Sequence, residues 1–453
     1  MTRKRPNIVI TIADDQRGAA LADDGLEPIH TPRLTQLADR GVRCRRAHHL
    51  GSCSGAVCAP SRAMLHTGRP YFELPTDVMG PVHPREGKPE FPRTLGARLR
   101  DLGYHTFGTG KWHNGVDTFQ QSFDAGEAIF HGGMADHWFT PAQSYDPSGE
   151  YPSDRNAPAD GFSTDVFGQA AVDYIRSRQG EDGPFFCYCA FTAPHDPRTP
   201  LDEYRRMYDP MKTPLPPNAM PEHPFDNGAL NIRDERLTGH PRLMTDPPNA
   251  TDEVRRHIAE YYAMITHMDA WIGRIHDALA EIGELENTII VHTADHGLAV
   301  GQHGLMGKQN MYDHSMRVPL IAAGPGIAEG HVAEGLCYQH DLHPTLLEAA
   351  GADASESWFD SLRSMFAGDA EAGRGTQGGA YLGRQRMIRD RRYKLTRYAM
   401  PEATHRQLFD LDEDPFETRN LIDEPEHADR AASLEAALAQ WQSNVGDTAA
   451  EPA

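Results

Sequence analysis

The longest regular pattern in the chain starts at Thr251, after which Val254, Ile258, Tyr261, Ile265, Met268, Ile272, Ile275, Leu279 and Ile282 follow at steps of four and three. That spacing lines one face of an α-helix. The Thr251 hydroxyl is placed to cap it, and Asp252 and Glu253 sit favourably against the dipole in the first turn. Such a stripe has to pack on a sheet, and its Met and aromatic content needs no cofactor to explain it. Strands are predicted at the short apolar or β-branched runs 7–12, 105–108, 185–191, 288–293 and 318–323, with helices near 31–40, 91–102 and 163–178. Strands alternating with helices predict an α/β fold, a large α/β/α sandwich around a mostly parallel mixed sheet.

Two stretches break the alternation. Residues 196–248 are rich in Pro, Asn and Asp with little periodicity, which fits either an insertion that shapes a binding site or a solvated connection. After Leu346-Leu347 the chain turns to Ala, Gly, Ser and Asp through about residue 377, a join between domains. The expected organisation is a large α/β domain over 1–350 and a smaller α+β domain over 351–453. The smaller one would hold short antiparallel strands near 379–382, 387–388, 393–397 and 407–410 and a terminal helix over 430–441.

A chain of 453 residues is long enough for two such cores. No apolar run approaches the roughly 20 residues of a spanning helix, so no membrane segment is expected. Met1–Arg5 is basic, but the strand-like run follows at once with no apolar signal core, and the chain reads as cytoplasmic. A secreted form trimmed of its leader would look the same. Six cysteines, at 44, 53, 58, 187, 189 and 337, are too few and too irregular for a disulfide framework. Cys187 and Cys189 alternate within a strand and suit core packing, and no zinc quartet is visible. The formal net charge of −21 argues against nucleic acid or an anionic membrane as a partner, and means that a bound anion needs a local cationic pocket.

Candidate chemistry collects after the predicted strands. Asp14-Asp15 end the first, Gly110-Lys111-Trp112-His113 follow the run at 105–108, Ala193-Pro194-His195 follow 185–191, and Asp295-His296 follow 288–293. In α/β sheets such strand ends converge on one edge, where ligands bind. Each Asp pair alone fits a helix cap or turn as well as a metal site. A lone Lys or His in a loop is usually solvated, and most of the 24 histidines must be structural or exposed.

Cys58-Ala59-Pro60-Ser61-Arg62, with Thr67-Gly68-Arg69 behind it, resembles the signature of the type I sulfatases, the formylglycine-dependent branch of the alkaline-phosphatase superfamily. The resemblance spans roughly residues 6–347, and Leu408-Phe409-Asp410 to Asn420-Leu421 is similar to the family's tail motif. It implies that a formylglycine-generating enzyme, reading Pro60 and Arg62, oxidises Cys58 to an aldehyde that hydrates to a geminal diol. One diol hydroxyl would attack sulfur, and the other would expel sulfate by C–O cleavage, so water need not attack sulfur again. By the same resemblance Asp14, Asp15, Asp295, His296 and residue 58 hold a metal, while Lys111 and Lys308 clamp sulfate oxygens. Arg62 orients the diol, His113 takes the proton of its second hydroxyl, and His195 protonates the leaving group. His303 and Asn114 border the same elements as bystanders or substrate contacts.

Carboxylate oxygens favour Ca²⁺, with Mg²⁺ or Mn²⁺ as alternatives. His296 stands where many sulfatases carry Asn, and the branches similar to iduronate sulfatase and phosphonate monoester hydrolase carry His there. The implied activity is hydrolysis of a sulfate monoester, with a small or oligomeric sulfated sugar as the expected substrate. A phosphonate monoester or phosphodiester hydrolase using the same diol is the alternative. The intact set of site residues argues against an inactive sulfated-glycan-binding module, and the absence of Ser or Thr at 58 against a two-metal phosphatase. The basic run Arg384, Arg386, Arg389, Arg391, Arg392 and Lys394 could bind a uronate or second sulfate, or form a solvated basic hairpin.

Overall fold

The computed structural model describes residues 5–74, 91–158, 160–225, 237, 251–399 and 403–447. Of the irregular stretch predicted at 196–248, residues 226–236 and 238–248 lie outside the described residues, as do residues 1–4. The main sheet has eight strands in the spatial order His331–Tyr338, Gly41–His48, Leu320–Ala323, Thr288–Ala294, Asn7–Ala13, Phe185–Ala190, His105–Lys111 and Ala125–Phe130. Leu320–Ala323 runs antiparallel to both its neighbours, and every other pairing in this sheet is parallel. The central strands Asn7–Ala13, Phe185–Ala190 and Thr288–Ala294 are buried at every position, which is why they read as continuous apolar runs instead of alternating ones. Helices Pro32–Asp39, Ser163–Ser177 and Thr251–Glu281 pack together as one group, and Cys58–Thr67, Leu95–Asp101 and Leu342–Ala349 as another.

The predicted long helix is Thr251–Glu281. Thr251 is its first helical residue, not the cap before it, and Ile282 lies just past its end. Burial extends well beyond the predicted stripe, to Ala259, Tyr262, Met264 and Thr266. Besides sharing the core of the sheet, this helix is covered by Pro32–Asp39, Ser163–Ser177 and the short helix Asp202–Arg205. Three strands of the main sheet escape the sequence pattern: Gly41–His48, Ala125–Phe130 and His331–Tyr338. In Gly41–His48 the arginines hide the signal. Arg43 is nonetheless buried, 3.1 Å from Asp23 and 3.0 Å from Asp24, and Arg46 pairs with Glu334.

A second sheet is built from Gln377–Tyr381, Gln385–Arg389, Tyr393–Ala399 and Thr404–Asp410 as an antiparallel meander, with the two-residue strand Gly51–Ser52 added in parallel beside Gln377–Tyr381. Gly51 needs its missing side chain there. Its φ is +118°, and a Cβ would lie 1.8 Å from the Ala380 carbonyl oxygen. Helix Ala428–Val445 covers this sheet through Leu434, Leu438 and Trp441, which share a core with Ile388, Leu395 and Leu408. Leu362, Met365 and Phe366 belong to the core of the large sheet, so the chain leaves that sheet nearer residue 366 than the predicted 350. Among the described residues no helix is long and apolar enough to cross a membrane.

Candidate active site

Four adjacent strands of the main sheet deliver the site. Ala13 pairs with Ala294, Ile12 with Ala190 and Gly110 with Ala190. The residues that follow, Asp14-Asp15, Asp295-His296 and His195, therefore leave the sheet at one edge beside Lys111 and His113. Lys111 is the last residue of its strand, which runs three residues further than the sequence predicts. Cys58 reaches the same place as the first residue of helix Cys58–Thr67, every residue of which is buried. The helix is held by Ser61, whose hydroxyl donates to the Asp295 carbonyl at 2.6 Å, and by Asn114, whose amide donates to the Ala59 carbonyl at 2.9 Å.

The sulfur of Cys58, only 3% exposed as a residue, lies 3.3 Å from His296 Nε2 and 3.4 Å from Lys308 Nζ. Lys308 Nζ is also 2.8 Å from Asp15 Oδ1, and Lys111 Nζ is 2.5 Å from Asp14 Oδ2. Burial opposes ionisation of the Cys58 thiol, but Lys111 and Lys308 outweigh it and pull it well below its ordinary range. Burial likewise disfavours the Asp14 carboxylate, and Lys111, His195, Arg62 and Lys308 more than compensate, holding it well below the usual range. A position this buried and this cationic stabilises an anionic oxygen or sulfur at residue 58.

Donor atoms of Asp14, Asp15, Cys58 and His296 all lie within 4.8 Å of one another. Asp14 Oδ1 and Asp15 Oδ2 are buried with no hydrogen-bond partner, an arrangement that costs free energy unless a cation takes them up. His296 Nδ1 donates to the Gly297 carbonyl at 2.9 Å, which turns Nε2 toward the cluster, as a ligating imidazole requires. The group fits a divalent cation. Burial disfavours charge on His296, but Asp295 and the other acids push it up to about 9, so a cation bound through Nε2 displaces a proton.

Asp295 stands apart from the other predicted ligands. Its Oδ1 is 3.4 Å from His296 Nε2 and accepts the backbone N–H groups of Asp15 and His296. Its Oδ2 is 3.0 Å from Arg62 Nε. Burial first, then the Asp14 charge, raise it to about 6. Arg62 also donates to the Lys111 carbonyl at 2.8 Å, and its Nη2 is buried without a partner.

Burial lowers the His113 imidazole, and its contact with the Cys58 thiol acts against that lowering. His195 Nδ1 donates to the Asp196 carbonyl at 2.7 Å, leaving Nε2 3.9 Å from Asp15 Oδ2. His303 is elsewhere, stacked on Tyr312 and bonded to the Glu417 carbonyl at 3.0 Å. Sequence reasoning missed His137, whose Nε2 donates to the His195 carbonyl at 2.9 Å, and Tyr188, whose hydroxyl meets Arg62 at 3.4 Å. Neither carries a local motif.

The basic run is mostly neither an anion site nor a solvated hairpin. Arg386 pairs with Asp447, Arg389 with Asp313, Arg392 with Asp410, and fully buried Lys394 with Asp313 and Glu417. Arg391 is exposed, near Glu371. Arg386 and Arg389, on opposite faces of the strand Gln385–Arg389, and Lys394 of the next strand each meet an acid inside the protein, whereas Arg392 pairs with its side chain 47% exposed.

The Sulfatase family model matches residues 6–352, and the family model "N-sulphoglucosamine sulphohydrolase, C-terminal" matches residues 301–444. A choline-sulfatase of Rhizobium meliloti is 29% identical over 99% of this chain and 89% of its own length. An N-acetylglucosamine-6-O-sulfatase of Bacteroides thetaiotaomicron is 24% identical over 98% and 87%. Among solved structures, a protein in complex with its substrate D-glucosamine-2-N,6-O-disulfate superposes with a TM-score of 0.81 at 22% identity, covering 98% of this chain and 99% of that one. The phosphonate monoester hydrolase of Agrobacterium radiobacter gives 0.73 at 23%, covering 97% and 96%. With the family model covering the whole strand-edge constellation, the chain belongs to the sulfatase family of the alkaline-phosphatase superfamily and is a sulfuric ester hydrolase.

Proposed function

We propose that this protein hydrolyses the sulfate monoester of a small sulfated sugar, using residue 58 in its oxidised, formylglycine form as nucleophile. The carrying observation is the placement of the residue-58 side-chain atom, 3.4 Å from Lys308 Nζ and 3.3 Å from His296 Nε2, over two buried carboxylates with unpartnered oxygens. The Cys58 sulfur stands in for the hydroxyl oxygens of the hydrated aldehyde, which would supply one hydroxyl to attack sulfur and a second to release sulfate. Asp14, Asp15, His296 and residue 58 would hold Ca²⁺, with Asp295 alongside them, and the cation would act there as a Lewis acid.

The chain's own residues supply the rest. Lys111 and Lys308 flank residue 58 with fixed positive charge, and the free Nη2 of Arg62 adds a buried donor for a sulfate oxygen. His113 is within reach of a proton on residue 58. His195, fixed through Nδ1 on the Asp196 carbonyl, presents Nε2 to the site and would protonate the leaving alcohol. Arg386, Arg389 and Lys394 are committed to Asp447, Asp313 and Glu417, so these three cations are taken up within the protein, which supports a short substrate over a long polysulfated chain.

The test has two parts. The peptide containing residue 58 is expected to show the thiol replaced by an aldehyde or its hydrate on mass measurement, and Cys58→Ala to lower sulfate release by at least about 100-fold. Chelation should abolish turnover and Ca²⁺ restore it. A wild-type preference for phenyl phosphonate esters over nitrophenyl sulfate would move the assignment to the phosphonate hydrolase reading, and full activity of Cys58→Ala would end the proposed mechanism.

A further inference from the structure

The loop His131–Thr140 carries three of the most exposed large apolar side chains of the described residues, Met134 at 52%, Trp138 at 46% and Phe139 at 68%. Exposure of this kind costs free energy unless something covers it. The loop is fastened to both histidines to which the proposed function gives the proton transfers. Gly133 lies so close over the His113 ring that a Cβ would sit 2.7 Å from its Cε1 and Nε2. Four residues on, His137 donates from Nε2 to the His195 carbonyl at 2.9 Å, with Nδ1 2.8 Å from the Ser163 hydroxyl.

Trp138 is placed by the same framework. It packs edge-on against Phe162, with ring centroids 5.3 Å apart, and Phe162 shares a small core with Ala193, two residues before His195. The loop is internally braced as well. The Trp138 N–H donates to Asp136 Oδ1 at 2.8 Å, and the Phe139 N–H to the Asp136 carbonyl at 3.1 Å. Trp138, held against Phe162, is a pre-organised contact surface, and Phe139 beside it is fixed through its backbone.

We propose that Trp138 and Phe139 form a platform for the alcohol part of the substrate, and that the platform selects an alcohol carrying a ring, whose apolar face packs on the indole. The inference rests on the sulfate-ester reading and deepens it. His195 marks the side from which the alcohol departs, and the loop bonded to its carbonyl borders that side. The pairing of a cationic, buried sulfate end with an aromatic, open alcohol end matches a sulfated ring compound. A pyranose offers the C–H groups of one chair face and an aryl group its π face, and the assay separates them.

The experiment compares wild type with Trp138→Ala, Phe139→Ala and the ring-keeping Trp138→Tyr on three esters: a methyl hexopyranoside 6-sulfate, nitrophenyl sulfate and propyl sulfate. The first and last leave as similar alkoxides, so leaving-group ability does not confound them. Trp138→Ala is expected to raise KM about tenfold for the ring whose face the platform takes, with kcat held, and to leave propyl sulfate within about twofold. Trp138→Tyr should recover most of the loss while keeping a ring against Phe162, and Phe139→Ala should leave melting unchanged because that side chain is 68% exposed. A selective loss on the hexopyranoside alone identifies a sugar platform, and equal loss on both ring esters a general one. Equal losses on ring and propyl esters, or no change on any, would overturn the proposal. Failure of wild type to release sulfate from the hexopyranoside would instead reject the sugar reading, and the ratio of nitrophenyl to propyl sulfate would still decide the platform.

Discussion

Arg62 lies wholly inside the protein, with Nε on Asp295 at 3.0 Å and Nη1 on the Lys111 carbonyl at 2.8 Å. One side chain therefore ties the nucleophile helix to two of the four strand ends. A lysine keeps the charge but cannot reach both acceptors from one planar fork. Arg62→Lys is expected to lower sulfate release by about 100-fold or more. It should also destabilise the fold by about 3 kcal/mol, since Asp295 is left buried and poorly paired. Melting temperature and sulfate release read the two effects separately, and an unchanged melting temperature would show that Asp295 does not need this partner. The sequence exposed this residue's membership in a motif but not its contacts. The family resemblance points to Cys58, Arg62, Lys111 and Lys308, whereas the Arg62–Asp295 pairing joins positions 233 residues apart and exists only once the sheet forms.

Helix Pro32–Asp39 has no side-chain cap of its own. Asp269 of the long helix Thr251–Glu281 does that work from across the interface, accepting the Leu34 N–H at 2.7 Å and the Arg33 N–H at 3.0 Å. Burial pushes its carboxyl up to about 6, against the lowering effect of those two N–H groups and of the Arg33 charge. The unfolded chain gives up this proton near its ordinary 3.8, so between that pH and about 6 the native state binds more protons. Stability from this group therefore falls as pH rises through that window, by on the order of 2 kcal/mol. Asp269→Asn keeps an acceptor for the helix and removes the titration. The melting temperature of wild type relative to Asp269→Asn should drop as pH rises from 4 to 6, and parallel profiles would show that Asp269 contributes no such slope.

At this scale the sequence was informative where burial was uniform and silent where it was not. The fully buried strands 7–13, 185–190 and 288–294 announce themselves as apolar runs. Gly41–His48 does not, because Arg43 and Arg46 occupy it and are neutralised only by acids from other segments. The long helix was legible in period but not in breadth of burial, since the helices that cover its other faces leave no mark on its own pattern.

Across the whole molecule the two sheets are joined by a buried charge network. Lys394 meets Asp313 at 2.7 Å and Glu417 at 2.6 Å, Arg389 meets Asp313 at 3.0 Å, and Asp313 lies five residues beyond Lys308. Gln385 extends the link by donating to the Gln309 carbonyl at 2.8 Å, and Gln309 donates to the Gly55 carbonyl at 2.9 Å. The second sheet thus braces both the Lys308 segment and the approach to Cys58. Lys394→Met should cost about 3 kcal/mol, because it strands acids in the interior. Adding Glu417→Gln should recover part of that loss, as a double-mutant cycle in chemical denaturation would measure. Additive losses would show that the two groups do not interact. This network is the main correction to the sequence reading, which saw six cations in one run and had no means of seeing the acids set against them.

The short strand Gly51–Ser52 also sets a schedule. It can pair only after Gln377–Tyr381 has left the ribosome, more than 300 residues of synthesis later. Until then the segment leading to Cys58 lacks the sheet that braces it. In the finished fold every residue from Cys58 to Thr67 is buried, so an enzyme that reads Cys58-Ala59-Pro60-Ser61-Arg62 has no access to it. If residue 58 is oxidised as the proposed function requires, that step would have to come before the second sheet closes, and a chain that folded first would keep its thiol.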